Sequence, residues 1–197
     1  MFTDRSVNKR LCMTSVKVEP DIVLEKLLHI FRSVGYDGAS IAELASATGL
    51  KKASLYYRFP DGKPGMAKAV LDYVLRWSDS QIFEIIYSTK PASERLDAVL
   101  NSIYSFYEGG QLACILRAMS HGTSAEIFRD RIADTFQKWI TSFTHLATDM
   151  GHDSSAAKRL GESVLINIQG SLILAQTLQK PEFFKKALND IKTDFLR

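Results

Sequence analysis

From Pro20 onward, apolar side chains recur at the 3.6-residue spacing of an α-helix in one stretch after another. No segment alternates apolar with polar residues while enriched in β-branched side chains. The first such run carries Leu24, Leu27, Leu28, Phe31 and Val34 on one stripe, with Gly35 where a C-terminal cap is expected. Further helices are expected near 41–48, 51–58, 64–88, 92–108, 111–120, 124–149, 154–178 and 181–195. Pro60-Asp61-Gly62, Lys90-Pro91, Gly109-Gly110, His121-Gly122, Gly151 and Lys180-Pro181 fall between them as punctuation. Internal repeats are absent. The pattern predicts an all-α chain of about nine helices. A small three-helix head should be joined to a larger helical body by the helix from about 64 to 88.

Composition narrows the class further. With 197 residues, 46% hydrophobic, 24% charged, 11 Gly and 5 Pro, the chain is neither collagen-like nor wholly disordered. Its two cysteines, Cys12 and Cys114, cannot make a disulfide framework or a Cys-rich zinc site. The most apolar run, Val164 to Ala175, is interrupted by Asn167, Gln169 and Gly170, so no membrane span is expected. The first ten residues lack the apolar stretch of a secretory signal, and a cytoplasmic protein is the simplest expectation. Residues 1–19 are polar, mildly basic and without periodicity, which predicts a flexible arm, with Met13 a second candidate start.

The net charge of +3 is unevenly divided. Residues 1–76 hold 12 Lys/Arg against 8 Asp/Glu, and residues 77–197 hold 13 against 14. All of the excess positive charge therefore lies in the first two-fifths, as expected of a chain whose one end meets a polyanion.

That end also holds the most specific pattern. Ser40-Ile-Ala-Glu43 has the form of a capping box, in which the Ser hydroxyl and the Glu carboxylate each satisfy an amide of the first turn. Ala45, Gly49 and Leu55 follow at four- and six-residue intervals. A small residue lets two helices cross closely, a Gly takes the left-handed turn, and an apolar residue seats the second helix. With Leu44, Leu50 and Phe59 completing a small core, Lys51, Lys52, Ser54, Tyr56, Tyr57 and Arg58 are left largely outward. A short helix presenting cations, hydroxyls and aromatic tips has the size and chemistry to enter a DNA major groove. The spacing alone recurs by chance in helical hairpins. The capping box, the basic second helix and the charge asymmetry converge on the same twenty residues.

Ser40-Ile-Ala-Glu-Leu-Ala-Ser-Ala-Thr-Gly-Leu50 and Lys52-Ala-Ser-Leu-Tyr-Tyr-Arg-Phe59-Pro-Asp-Gly-Lys63 closely resemble the N-terminal domain of TetR-family transcriptional regulators. The Leu-Tyr-x-x-Phe-x-x-x-Lys portion is the most specific. The likeness is strong over about residues 20–75 and looser beyond. It implies a flexible arm over 1–19, a helix-turn-helix DNA-binding domain over 20–75 and a ligand-binding and dimerisation domain over 76–197. It also implies DNA-binding residues: Ser40 on a phosphate at a helix N-terminus, Lys51, Lys52 and Ser54 on bases and adjacent phosphates, and Tyr56, Tyr57 and Lys63 on the backbone. Tyr57 departs from the His often found in relatives. Arg58 has no fixed family role and reads as a solvated charge. The Phe-Pro-Asp-Gly-Lys form is similar to that of members repressing drug-efflux or detoxification genes.

In the body, the helix near 154–178 is apolar on more than one face. Leu160, Val164, Ile168 and Leu172 form one row, and Gly161, Ser163, Gly170, Ser171 and Ala175 permit close approach. An internal core helix is the plain reading. The resemblance implies in addition a homodimer interface of Leu160, Val164, Ile168 and Leu172 with Phe183 and Phe184 of the last helix. It also implies an apolar cavity for a small-molecule inducer, with Phe106, Leu116, Trp139 and Phe143 as lining and Tyr104, Arg117 and His121 as polar anchors. Cys114 reads as a small buried hydrophobe, with thiol sensing as the alternative. The function implied is a sequence-specific regulator, a repressor by family default, released from a pseudo-palindromic operator by an apolar or aromatic ligand. The competing reading is an all-helical interaction module whose basic head binds without sequence preference. An enzyme is not expected: His29, His121, His145 and His152 lack metal-ligand spacing, and neither a phosphate loop nor a nucleophile elbow occurs. No cofactor or metal is expected.

Overall fold

In the computed structural model, residues 19–197 are described. The arm expected over 1–19, together with Cys12 and Met13, lies outside the described residues except for Glu19. Helix α1 (Pro20–Gly38) opens on Pro20, whose missing N–H costs nothing at a first helical position, and buries Val23, Leu27, Leu28 and Phe31. Gly35, at φ 72°, breaks the helix where the sequence placed its cap. The chain then turns through Tyr36 into α2 (Ile41–Thr48) and α3 (Lys52–Arg58).

Helix α4 (Gly62–Ser78) does not run evenly to residue 88. It passes through a π-helical turn (Asp79–Phe83) into one last α-helical turn, Glu84–Ile86. The wider turn advances the register, so that Ile82, Phe83 and Ile86 all face the core. Helix α5 (Ala92–Phe106) follows.

The helix expected over 111–120 is the main departure. Glu108, Gly109 and Gly110 all have positive φ (47°, 68° and 103°). The chain is still not helical over 111–114, where Cys114 is extended (φ −72°, ψ 122°), and only α6 (Ile115–Ala118) forms. Gly110 is needed here, because a Cβ on it would lie 2.7 Å from Cβ of Phe184.

Three long antiparallel helices complete the body: α7 (Gly122–Asp149), α8 (Ser154–Thr177) and α9 (Glu182–Phe195). Asp153 caps α8 by accepting from the Ala156 amide at 2.9 Å. Gly161 brings α8 against α7 so closely that a Cβ would stand 2.6 Å from the Ile140 carbonyl oxygen.

Nine helices result among the described residues when Gly62–Ile86 is counted as one, and no strand occurs among them. The apolar core runs without a break from Leu44 and Leu55 in the head to Phe184 and Phe195 in the body. Polar ties cross the same junction. Asp37 accepts from the Thr123 amide at 3.0 Å, and Arg131 pairs with Asp72. No helix among the described residues is long and apolar enough to cross a membrane.

Candidate nucleic-acid interface

The capping box forms as the sequence predicts. The Ser40 hydroxyl accepts from the Glu43 amide at 3.2 Å, and the Ser40 amide donates to the Glu43 carboxylate at 2.8 Å. These bonds hold the Glu43 carboxyl below its ordinary pKa, the Ser40 backbone amide acting most strongly and the Ser40 side chain next. At the other end of α2, Gly49 (φ 69°) takes the left-handed cap and its neighbour Leu50 donates to the Ala45 carbonyl at 3.2 Å. The chain thus enters α3 after a turn of only a few residues.

Helix α3 buries a single side chain, Leu55, which is fully enclosed with Leu44 and Ala45 in the head core. Leu50 and Phe59 are partly buried against that core. The other faces are open: Lys51, Lys52 and Ser54 are exposed on the leading turn, Tyr57 is 88% exposed and Tyr56 47%. The Tyr56 ring lies beside the turn into α4, its Cε1 3.4 Å from the place of a Cβ on Gly62. Arg58 is half-buried. Lys63 is more engaged than its neighbours. Its ammonium donates to the carbonyls of Tyr36 (3.0 Å) and Ala39 (3.1 Å) and lies 4.6 Å from the Tyr36 ring centre, tying the start of α4 to the end of α1. One surface of a short helix is therefore cationic and hydroxyl-rich, braced from behind by one leucine.

The other sets named from sequence are placed differently. Of the six residues assigned to the dimer interface, Val164, Ile168, Leu172 and Phe184 are buried within their own chain. Leu160 and Phe183 are partly buried against the same core. The row chosen from sequence is the one that packs inward. The opposite side of α8 leaves Ile166, Ile173, Leu174 and Leu178 between 41% and 69% exposed, with Gly170 open among them.

The seven residues assigned to a ligand cavity do not line one space. Trp139 and Phe143 are core, with edge-on ring contacts to Phe83 and Phe195 respectively, at 6.3 Å in each case. Leu116 is buried, whereas Arg117 and His121 are exposed at the turn into α7, where His121 Nδ1 stands 2.9 Å from the Arg117 carbonyl. Tyr104 lines a cavity of about 390 Å³ between α5 and α9, and Phe106, stacked on Trp77 at 3.8 Å, lines another near α1. Aromatic residues at helical spacing fill a core first, which is why these did not converge. Cys114 is buried, and its Sγ accepts from the Gln169 amide at 3.4 Å. No group of His, Cys, Asp and Glu among the described residues is arranged to hold a metal. The sequence reading passed over Arg32, which sits four residues after Leu28 on the buried side of α1.

Two family models match the chain: bacterial regulatory proteins of the tetR family over residues 23–70, and the C-terminal domain of LmrA/YxaF-like transcriptional regulators over residues 92–189. The HTH-type transcriptional regulator LmrA of Bacillus subtilis is 23% identical over 159 residues, covering 79% of this chain and 85% of the relative. Among solved structures, a TetR transcriptional regulator from Legionella pneumophila superposes with a TM-score of 0.75 at 18% identity, covering 93% of this chain and 98% of that one. A cysteine mutant of the TetR-family regulator CifR, complexed with 26-bp double-strand operator DNA, gives 0.71 at 20% identity, with coverage of 90% and 95%.

Proposed function

Because the chain belongs to the TetR family of bacterial transcriptional regulators, and is thus a DNA-binding regulator and not an enzyme, we propose that it acts as a cytoplasmic repressor. It reads its operator with α3. Lys51, Lys52 and Ser54 reach base edges and adjacent phosphates in the major groove. The Ser40 hydroxyl, Tyr56, Tyr57 and the remaining ammonium proton of Lys63 hold the phosphate backbone and so set the register. The observation that carries this reading is the one-sided burial of α3: Leu55 is enclosed and every lysine and tyrosine of the helix is turned outward.

A single seven-residue helix spans too few base pairs to specify a site, so two heads and a pseudo-palindromic operator are part of the proposal. The homodimer is joined through the exposed α8 row of Ile166, Ile173, Leu174 and Leu178, since an apolar stripe of that length on an otherwise amphipathic helix needs a cover. A small molecule bound in the body favours a head spacing that no longer fits the operator, and each ligand weakens the other by the same factor. Selection of bound fragments from genomic DNA tests the reading. An inverted repeat, preferred over random duplex by roughly a thousandfold or more, is expected. Equal binding to random duplex instead supports the interaction-module reading.

A further inference from the structure

Arg32 is a buried cation that the DNA-binding reading does not use. Its side chain lies where α1 of the head meets α4 and the end of α5, and the residue is only 8% exposed. Its Nε and Nη2 have no hydrogen-bond partner among the described residues, and no ion pair among them includes it. What holds the guanidinium is aromatic: its Cζ stands 4.4 Å from the ring centre of Phe106 and 5.7 Å from that of Tyr107. Burial pushes the group below its ordinary pKa, with Tyr107, Cys114 and Glu108 opposing. A desolvated guanidinium with two idle donors is costly, and buried charges are ordinarily paired. Such a group asks for an explanation.

A cavity adjoins it. A cleft of about 310 Å³, open to solvent on one side, lies beside Arg32 against Leu28, Tyr73, Phe106 and Leu112, a volume at the small end of ligand pockets. Leu28, Tyr73, Phe106 and Leu112 make the walls apolar and aromatic on one side, His29 and Ser105 add polar groups, and Arg32 borders the space with a planar guanidinium whose fork matches a carboxylate with two parallel bonds once the side chain turns to face it. Two exposed carboxylates, Glu25 and Glu108, also face this space, and Glu25 accepts from the Tyr73 hydroxyl at 3.0 Å. Both repel an anion, and a doubly charged one about twice as strongly as a singly charged one, so any anion that Arg32 holds here carries a single charge.

We propose that this cavity is a binding site for a small monocarboxylate with an apolar or aromatic body, its carboxylate paired with Arg32 and its body laid against Phe106 and Leu112. The site is walled by the head on one side and the body on the other, so its occupancy biases the angle between them. In that respect it rests on the ligand-responsive reading above. The binding claim itself does not.

Benzoate and hexanoate serve as probes, with benzamide as the uncharged counterpart of the first. Three readouts are used: emission of Trp77, which stacks on Phe106, calorimetric stoichiometry, and the Nε–H resonance of Arg32 in ¹⁵N-arginine-labelled protein. Saturable binding of at least one carboxylate at one per chain is expected, with the Arg32 resonance moving in step. Benzamide and the Arg32→Met variant should each bind at least about tenfold more weakly, the scale of a lost hydrogen bond to a charged group. The resonance readout holds even if Arg32→Met fails to fold. An unmoved Arg32 resonance with both carboxylates, or equal binding of benzoate and benzamide, overturns the proposal. Wild-type duplex binding is measured first without probe: its failure sinks the regulator reading alone. Carboxylate binding that leaves duplex affinity unchanged removes the regulatory role and keeps the site.

Discussion

Replacing Leu55 by Ala tests how the DNA-reading surface is held in place. Leu55 is fully enclosed and is the one buried side chain of α3. Seven residues are far below the roughly 12–15 at which an isolated helix begins to persist in water, so α3 exists because it is docked. A buried Leu→Ala change costs about 2–5 kcal/mol, the spread reflecting how far the site collapses. At about 1.4 kcal/mol per decade, the docked population falls relative to the undocked by about thirtyfold to a few thousandfold. Duplex affinity falls with the fraction that remains competent. Fluorescence anisotropy with a selected duplex should therefore show weaker binding, by at most that ratio and by less the more firmly α3 is docked in the wild type, while α7, α8 and α9 keep their hydrogen-exchange protection. Leu55→Met, which conserves volume, should cost less than about 1.5 kcal/mol and retain affinity. Wild-type affinity in Leu55→Ala, with slow exchange retained across α3, would refute the docking argument.

Further outcomes follow from other elements. Ile173→Glu should yield a folded monomer by sedimentation, because Ile173 is exposed on α8, whereas Ile168→Ala should lower chain stability by about 2–5 kcal/mol as a core truncation; a dimeric Ile173→Glu protein counts against the proposed face. Gly161→Ala should destabilise by about 1–3 kcal/mol in urea, since its Cβ has no room beside Ile140 and Thr144. Ser40→Ala should cost the head about 1 kcal/mol through loss of the α2 cap. The Glu43 carboxyl titrates below its ordinary value when folded, so its contribution is complete above the ordinary Glu range and is lost as pH falls through the lowered value. Urea unfolding of wild type and Glu43→Gln should therefore differ at neutral pH and converge in acid.

What the sequence made legible was what local chemistry decides. Ser40 with Glu43, Gly49 and Leu55 each carry a residue-specific requirement, and all take the conformations those requirements demand. Where several outcomes share one pattern, the sequence was silent. Helix α8 is apolar on two sides, and periodicity alone does not say which row faces inward; Val164 and Ile168 proved internal, Ile166 and Ile173 external. The run Leu112, Ile115, Leu116 has helical spacing, yet the positive φ of Glu108 precedes it without any Gly or Asn signal at that position. The π-helical turn at Asp79–Phe83 shifts the register inside a continuous helix, which leaves only a slight change of period to read. Lys63 was read only as a phosphate contact, and its bonds to the carbonyls of Tyr36 and Ala39 escaped notice because those partners lie more than twenty residues away. Arg32 interrupts a stripe that includes Leu28 and Phe31, and a charge within an apolar stripe is the signal by which it was open to notice.

The salt dependence of duplex binding by wild type and by a Lys51→Ala/Lys52→Ala double variant tests the central claim most directly. With α3 lying on the duplex, the log–log slope of affinity against salt flattens by about 0.9 for each phosphate the two lysines neutralise, and affinity for the selected site falls. Slope and affinity both unchanged in the double variant would mean that the outward face of α3 is not what meets DNA.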